Sequence, residues 1–272
     1  MIEAKVKVKK SYWGGSLFLG ITFMCFVVPL FIAGDPDEQD FLNLLSPPSP
    51  DTPFGTDQLG RDIFLRTLYA GRISLSISFV ILCFSLFVGT ILGLVAGYKG
   101  KTVDVLIMRI TDIFLTIPKL VLAMAISFSL GPSLVNLSIA IVLTHWPEYT
   151  RLVRSIVIGL RKQPFVEAAK ILGVSDTVIV QRHIWPSVLP SLSVRAAMDF
   201  SFIIIYVAGL SFLGLGVQPP TSEWGVMVAS GRDFLDSAWW VSLFPGLAIL
   251  LVGLSANLLG EALQDRFAVR AI

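Results

Sequence analysis

LSISFVILCFSLFVGTILGLVAGY, Leu75 to Tyr98, carries no charged side chain from end to end. Coiled as a helix it would reach about 36 Å, enough to cross a hydrocarbon core roughly 30 Å thick. Its apolar residues do not alternate with polar ones, so it does not read as the strand of a membrane barrel. Backbone groups in lipid must bond within their own segment, and a helical span is what remains.

Reading outward from this stretch, further apolar windows follow the same pattern. The first runs from Ser16 to Ala33, behind the basic start MIEAKVKVKK; its length and the weak cleavage site in FIAGDPDEQ make it an uncleaved span rather than a signal peptide. A third lies between Val103 and Leu130, a fourth from Ser133 to Tyr149, a fifth from Ala196 to Val217 and a sixth from Val241 to Gly260. The expectation is an all-α integral membrane bundle of about six transmembrane helices. Residues 1–72 form an N-terminal segment with the first span and an external loop; residues 73–272 form a transmembrane domain with a polar loop at 161–195.

Composition agrees. Of 272 residues 54% are hydrophobic and only 15% charged, against about 25% in soluble domains. A net charge of +2 without a basic block interleaved with aromatics gives no footprint for nucleic acid. Cys25 and Cys83 sit in different apolar windows, and no Cys/His cluster points to a metal; no cofactor is expected. With the N-terminus inside, Lys5, Lys7, Lys9, Lys10, Lys99, Lys101, Arg109, Arg151, Arg154, Arg161, Lys162, Lys170, Arg182, Arg195, Arg266 and Arg270 all fall on the cytoplasmic side. Only Arg61, Arg66, Arg72 and Arg232 fall outside, with Asp57 and Glu223 beside them. This bias places both termini in the cytoplasm and the chain in the cell membrane.

It also places PFVEAAKILGVSDTVIVQRHIWPSVLPS, Pro164 to Ser191, in the cytoplasm between the fourth and fifth spans. Pro164 suits a first helical position and Gly173 the residue just past a helix end. Ser175 reads as the cap of a second short helix, Asp176 complements its dipole, and Pro186 bounds its far end. Two short helices joined at a glycine form a knob. Ala168 and Ala169 beside Glu167 would make a flat surface for another protein's groove.

These residues resemble the cytoplasmic signature of permease subunits of ATP-binding-cassette (ABC) importers: Glu167, Ala168, Ala169, Gly173 and Pro186 occupy its places, while His183 and Trp185 stand where the general pattern has Ile and Leu. FGTDQLGRDIFLRTLYAGRISL (Phe54 to Leu75), GLSFLGLGVQPPTSEWGVMV (Gly209 to Val228) and FPGLAILLVGLSANLLGEALQDR (Phe244 to Arg266) resemble the C-type subunit of the peptide/nickel branch. The resemblance implies a non-enzymatic permease that pairs with a second, related permease, two cytoplasmic ATP-binding subunits docked on the knob, and an external substrate-binding protein. Its substrate would be a peptide, with nickel or metal chelates or oligosaccharides as alternatives. THWPEYTRLVRS, Thr144 to Ser155, is somewhat closer to nickel-type members.

The remaining polar residues leave a rival class open, a secondary transporter driven by an ion gradient. Ionisable groups at membrane depth are costly and read as functional first. Asp112 and Lys119, seven apart, lie two turns along one helical face unless Pro118 bends it, and read as a structural pair or as interfacial groups; with Asp199 they are also the relay candidates of the rival reading. His145 and Glu148 share a face near Pro147 and read as snorkelling or intersubunit groups. Gly100, Lys101 and Thr102 imitate the end of a phosphate-binding loop, but Val95 stands where its first glycine belongs. Gly209, Gly214 and Gly216 offer a close helix approach or the wall of a pore. The proline-rich acidic segment from Gly34 to Asp62 is expected to lie exposed outside.

Overall fold

The structure, a computed structural model, describes residues 2–32 and 34–269. It is built from ten helices: α1 (Ile2–Phe26), α2 (Ile63–Lys99), α3 (Lys101–Thr116), α4 (Lys119–Leu130), α5 (Leu134–Arg161), α6 (Pro164–Ile171), α7 (Asp176–Ile179), α8 (Trp185–Phe212), α9 (Trp224–Ser230) and α10 (Trp240–Val269). Two 3₁₀ turns, Val28–Leu30 and Arg232–Phe234, and a π turn, Val180–Ile184, complete it. No strand occurs among the described residues.

Local chemistry sets the boundaries. The Asp62 carboxylate accepts from the Phe64 and Leu65 amides, satisfying donors that the first turn of α2 leaves free. The Ser133 hydroxyl accepts from Val135 at the start of α5 in the same way. Between α3 and α4 stands Pro118, which forces Ile117 into an extended conformation, and the two helix axes diverge by 91°.

Four helical stretches are long and apolar enough to cross a membrane, and five if the bent α3–α4 pair counts as one span. The expected six is not reached by that measure because α5, the predicted fourth span, carries Glu148, Arg151, Arg154 and Arg161 along its length. The predicted fifth span begins earlier and ends sooner than expected: α8 starts at Trp185 and stops at Phe212, leaving Gly214 and Gly216 in the following turn.

The α2–α5 contact is the most extensive in the bundle. It rests on Gly89, Gly93 and Gly97, spaced by four along one face of α2. A Cβ at Gly89 would stand 2.5 Å from the Tyr149 Cβ, one at Gly93 2.7 Å from the Thr150 carbonyl oxygen, and one at Gly97 2.7 Å from the Val157 Cβ. Small residues let helices approach where lipid supplies no hydrophobic drive. Among the described residues of this chain no helix packs on the other glycine set: a Cβ at Gly209 or Gly214 meets nothing within 4 Å, and one at Gly216 meets Ser211.

The segment from Gly34 to Asp62 is a packed cap rather than a wholly exposed loop. Its Phe54 ring stacks on Phe244 at 3.9 Å, Trp240 donates to the Thr56 carbonyl, and buried Asp57 pairs with Arg61 at 2.7 Å. Arg66 reaches back to Asp37 and Asp57. Glu223 is fully buried, where it accepts from Ser74 at 2.8 Å and caps α9. Asp57 and Glu223 are thus structural anchors, closed to solvent.

Candidate functional site

Two constellations carry the chemistry, a knob at one end of α5 and a cluster of ion pairs along its flank. The knob begins where α5 ends at Arg161. Pro164 opens α6, as its fixed φ and missing N–H allow. At the far end the Gly173 amide bonds the Lys170 carbonyl and the Val174 amide the Ala169 carbonyl, closing a Schellman motif. That closure needs a left-handed residue, and Gly173 has φ +76° with open space around it. The chain then turns into α7, whose cap position Ser175 occupies without its hydroxyl bonding the helix.

Pro186 does not bound the second short helix. α7 continues through the π turn into α8, and Pro186 lies inside that continuous helix directly after the π turn, where its missing N–H interrupts the regular bond ladder. The knob is therefore joined to a long span by continuous helix.

Burial corrects the docking surface. Val166 and Ala169, one turn apart on α6, face inward with Ile179; Glu167 and Ala168 face out. Ala169 thus packs the knob onto its own chain instead of meeting a partner. The exposed apolar groups are Ile171 (87% exposed), Leu172 (81%) and Phe165, whose ring lies 6.0 Å from that of His183. Sequence reading missed them because a hydrophobe inside a short amphipathic helix reads as its buried stripe.

Tyr98, the penultimate residue of α2, ties the knob to the bundle. Its hydroxyl donates to Asp176, its carbonyl accepts from Arg161 at 2.9 Å, and the Lys170 ammonium lies 5.3 Å from its ring centroid. An aromatic at a span's end is a weak sequence signal, and its three partners are 63 to 78 residues away or on α6.

Along the flank, Glu148 of α5 accepts from Lys119 of α4 at 2.6 Å and from Arg195 of α8 at 2.5 Å; Arg195 also donates to Asp199 at 2.8 Å. Arg151 pairs with Asp112 of α3 at 2.8 Å, and Arg154 with Asp104. The expected Asp112–Lys119 pair does not exist. The break at Pro118 sends the two residues onto different helices, and each finds a partner on α5. His145, expected at an interface, is buried: its Nδ1 donates to the Ile141 carbonyl and its ring meets the edge of Tyr206 at 5.3 Å. Of this cluster, the Arg195–Asp199 spacing of four was the one pairing a sequence could announce.

Residues 89–269 match the family described as binding-protein-dependent transport system inner membrane component. The chain is 43% identical, over 95% of its length and 85% of the relative's, to the dipeptide transport system permease protein DppC of Alkalihalophilus pseudofirmus. It is 39% identical to the nickel transport system permease protein NikC of Escherichia coli, over 94% of both chains. Among solved structures, the methionine ABC transporter MetNI in an inward-facing conformation superposes with a TM-score of 0.56 at 20% identity, covering 74% of this chain and 94% of that one.

Proposed function

The chain belongs to the family of binding-protein-dependent transport system inner membrane components and is the membrane-spanning permease subunit of an ABC importer; from that premise we propose that it carries short peptides, and that the α6–α7 knob receives the stroke of a cytoplasmic ATPase. It is a transport component rather than an enzyme. Glu167, Ala168, Gly173 and Pro186 belong to this coupling element, together with the exposed Ile171 and Leu172; Ala169 serves it from beneath as a packing residue. In this reading the knob side of the bundle and both termini face the cytoplasm, and the assembly holds a second related permease, two ATP-binding subunits and an external binding protein.

The observation that carries the coupling role is the combination at α6: two almost fully exposed apolar side chains, Ile171 and Leu172, beside an exposed Glu167, on a knob fused to α8. Exposed apolar groups beside a charge mark a protein contact. ATP binding closes the ATPase pair, the seated knob moves, and α8 transmits that displacement because α7 runs into it as continuous helix. The pathway then exchanges inward-open for outward-open populations. Asp112, Lys119 and Asp199, the relay candidates of the gradient-driven reading, are each ion-paired on another residue of the cluster, to Arg151, Glu148 and Arg195 respectively.

A peptide cargo is supported by DppC and by the di/tripeptide transport system permease protein DppC of Pseudomonas aeruginosa, 41% identical over 94% of this chain and 87% of that relative. Nickel is the second reading, favoured by the near-equal length match to NikC. The test is ATP-dependent uptake in proteoliposomes, of labelled dipeptide against labelled nickel, with the ATPase subunit pulled down in parallel. Glu167→Lys and Leu172→Asp are expected to abolish both association and uptake, costing about 2–5 kcal/mol at the contact, while the permease inserts normally. Normal association and uptake in both variants would remove the coupling role from this knob.

A further inference from the structure

The knob hangs from the end of α5 by a short link, Lys162 and Gln163, and runs into α8 at its other end. Neither connection reaches α2, although α2 is pressed onto α5 along Gly89, Gly93 and Gly97. The polar contacts that join α2 to the knob converge, among the described residues, on Tyr98. Its hydroxyl donates to the Asp176 carboxylate at the start of α7, and the Lys170 ammonium near the end of α6 lies 5.3 Å from its ring centroid. One side chain thus holds both short helices, on either side of the Gly173 turn.

The same residue is fixed from the bundle side. The Arg161 guanidinium donates to the Tyr98 carbonyl at 2.9 Å, and at Gly100, with φ +65°, a Cβ would come 2.7 Å from Arg161 Nη1. The ends of α2 and α5 are clamped at the residue that grips the knob. This second attachment has a mechanical consequence. A body on one covalent link turns about the φ and ψ of that link, and the apolar contact beneath the knob, through Val166, Ala169 and Ile179, is non-directional. A hydrogen bond prefers an angle as well as a distance. Placed at α7, across the Gly173 turn from the link, it opposes that rotation.

We infer that Tyr98 is a positioning residue for energy coupling: it fixes the angle of the knob on the α2–α5 pair, so that a stroke received at α6 displaces that pair instead of tilting the knob. The inference rests on the coupling role proposed above and adds a second route of transmission beside α8. The bond from hydroxyl to carboxylate is the angular element, and the contact of Lys170 with the ring sets where α6 lies. Asp176 is free for this work because it stands just inside α7, one residue after the cap position that Ser175 occupies.

The test uses the complete importer in proteoliposomes. ATP hydrolysis is measured together with uptake of whichever cargo, dipeptide or nickel, the wild type accumulates, and the ATPase subunit is pulled down in parallel. Tyr98→Phe keeps the ring and the backbone clamp and removes only the hydroxyl; Asp176→Ala removes the acceptor of the same bond from the exposed side. Each is expected to lower the cargo delivered per ATP hydrolysed about fivefold, the weight of one net hydrogen bond, with ATPase capture and hydrolysis at wild-type level. The double variant is expected to fall no further, and Asp176→Asn, whose amide oxygen still accepts from the hydroxyl, to recover most of the ratio. A folding defect lowers the amount of working importer and not this ratio, so the ratio separates positioning from a structural role. An unchanged ratio in both single variants overturns the inference and leaves the coupling knob in place. Loss of ATPase capture in either overturns it too, since the bond would then shape the docking surface. If Glu167→Lys and Leu172→Asp keep normal association and uptake, the knob is not the coupling element and both readings fall.

Discussion

Helix α5 has two faces that solve the membrane problem in opposite ways. Towards α2 it presents Tyr149, Thr150, Val153 and Val157, pressed onto the glycine row Gly89, Gly93 and Gly97 with no charge in the seam. Towards α3, α4 and α8 it presents Glu148, Arg151 and Arg154, every one of them ion-paired to another helix. The first face is held by close backbone approach, which works in one arrangement only because packed interiors do not deform smoothly. The second is held by charges that can exchange partners. The contrast predicts a rigid seam between α2 and α5 and a more yielding one between α5 and α3, α4 and α8.

The comparison breaks first at Gly93. A leucine there would drive its Cβ to 2.7 Å from both the Thr150 carbonyl oxygen and the Val153 Cβ, and neither is the tip of a flexible chain. Overpacking costs about 1–3 kcal/mol even where side chains can move aside; with backbone on one side, Gly93→Leu is expected to cost about 3 kcal/mol or more. The readout is loss of the folded, monodisperse permease in thermal melts in detergent. Gly209→Leu, at a position with no neighbour within 4 Å, is the control and is expected to leave the melt within a degree or two. An undisturbed melt for Gly93→Leu would mean the α2–α5 seam is not rigid.

How far the sequence announced these two faces follows from what each is made of. The glycine spacing 89, 93, 97 is written in the sequence as plainly as that of 209, 214 and 216, but spacing names no partner, and of the second set Gly209 and Gly214 meet nothing in this chain while Gly216 meets Ser211. The knob was largely legible because Pro164 and Gly173 act locally, through φ and a missing N–H or Cβ, whatever the rest of the chain does. Pro186 and Ala169 were misread for the complementary reason: whether a proline ends a helix or starts the next, and which way an alanine faces, depends on what the segment packs against. Ion-pair partners on different helices were illegible. Asp112 and Lys119 share a helical face only if the helix is continuous; the 91° bend at Pro118 hands them to Arg151 and Glu148, 39 and 29 residues away.

The second break lies on the wet face. Glu148→Ala removes the carboxylate that holds both Lys119 and Arg195 and leaves two cations confronting each other. Removing one partner of a fully buried pair costs about 3–5 kcal/mol; Glu148 keeps 29% of its side chain exposed and Arg195 retains Asp199, so about 1–2 kcal/mol is expected. Glu148→Gln, which still accepts a hydrogen bond from Lys119, should recover about half of that loss. Added salt should also narrow the difference, because screening reaches charges open to water. A loss as large as that of Gly93→Leu, insensitive to salt, would show that this face is as dry and rigid as the other.

The smallest effect sharpens the distinction most. Arg151 and Asp112 are the most exposed pair of the cluster, each side chain 57% open, and their 2.8 Å contact joins α3 to α5. Exposed pairs are worth about 0–1 kcal/mol, since water competes for both charges and ordering two side chains costs entropy. Asp112→Asn is therefore expected to shift the melt hardly at all, in contrast to an anion removed from a dry site, where the abandoned guanidinium would destabilise the fold by several-fold more. The physical reason is exposure: Arg151, released from Asp112, is solvated at once. The check is a double-mutant cycle with Arg151→Gln on the melting free energy, expected to give a coupling below about 1 kcal/mol. A coupling of several kcal/mol would mean that water does not reach Arg151, and the two faces of α5 would then differ in chemistry but not in mobility.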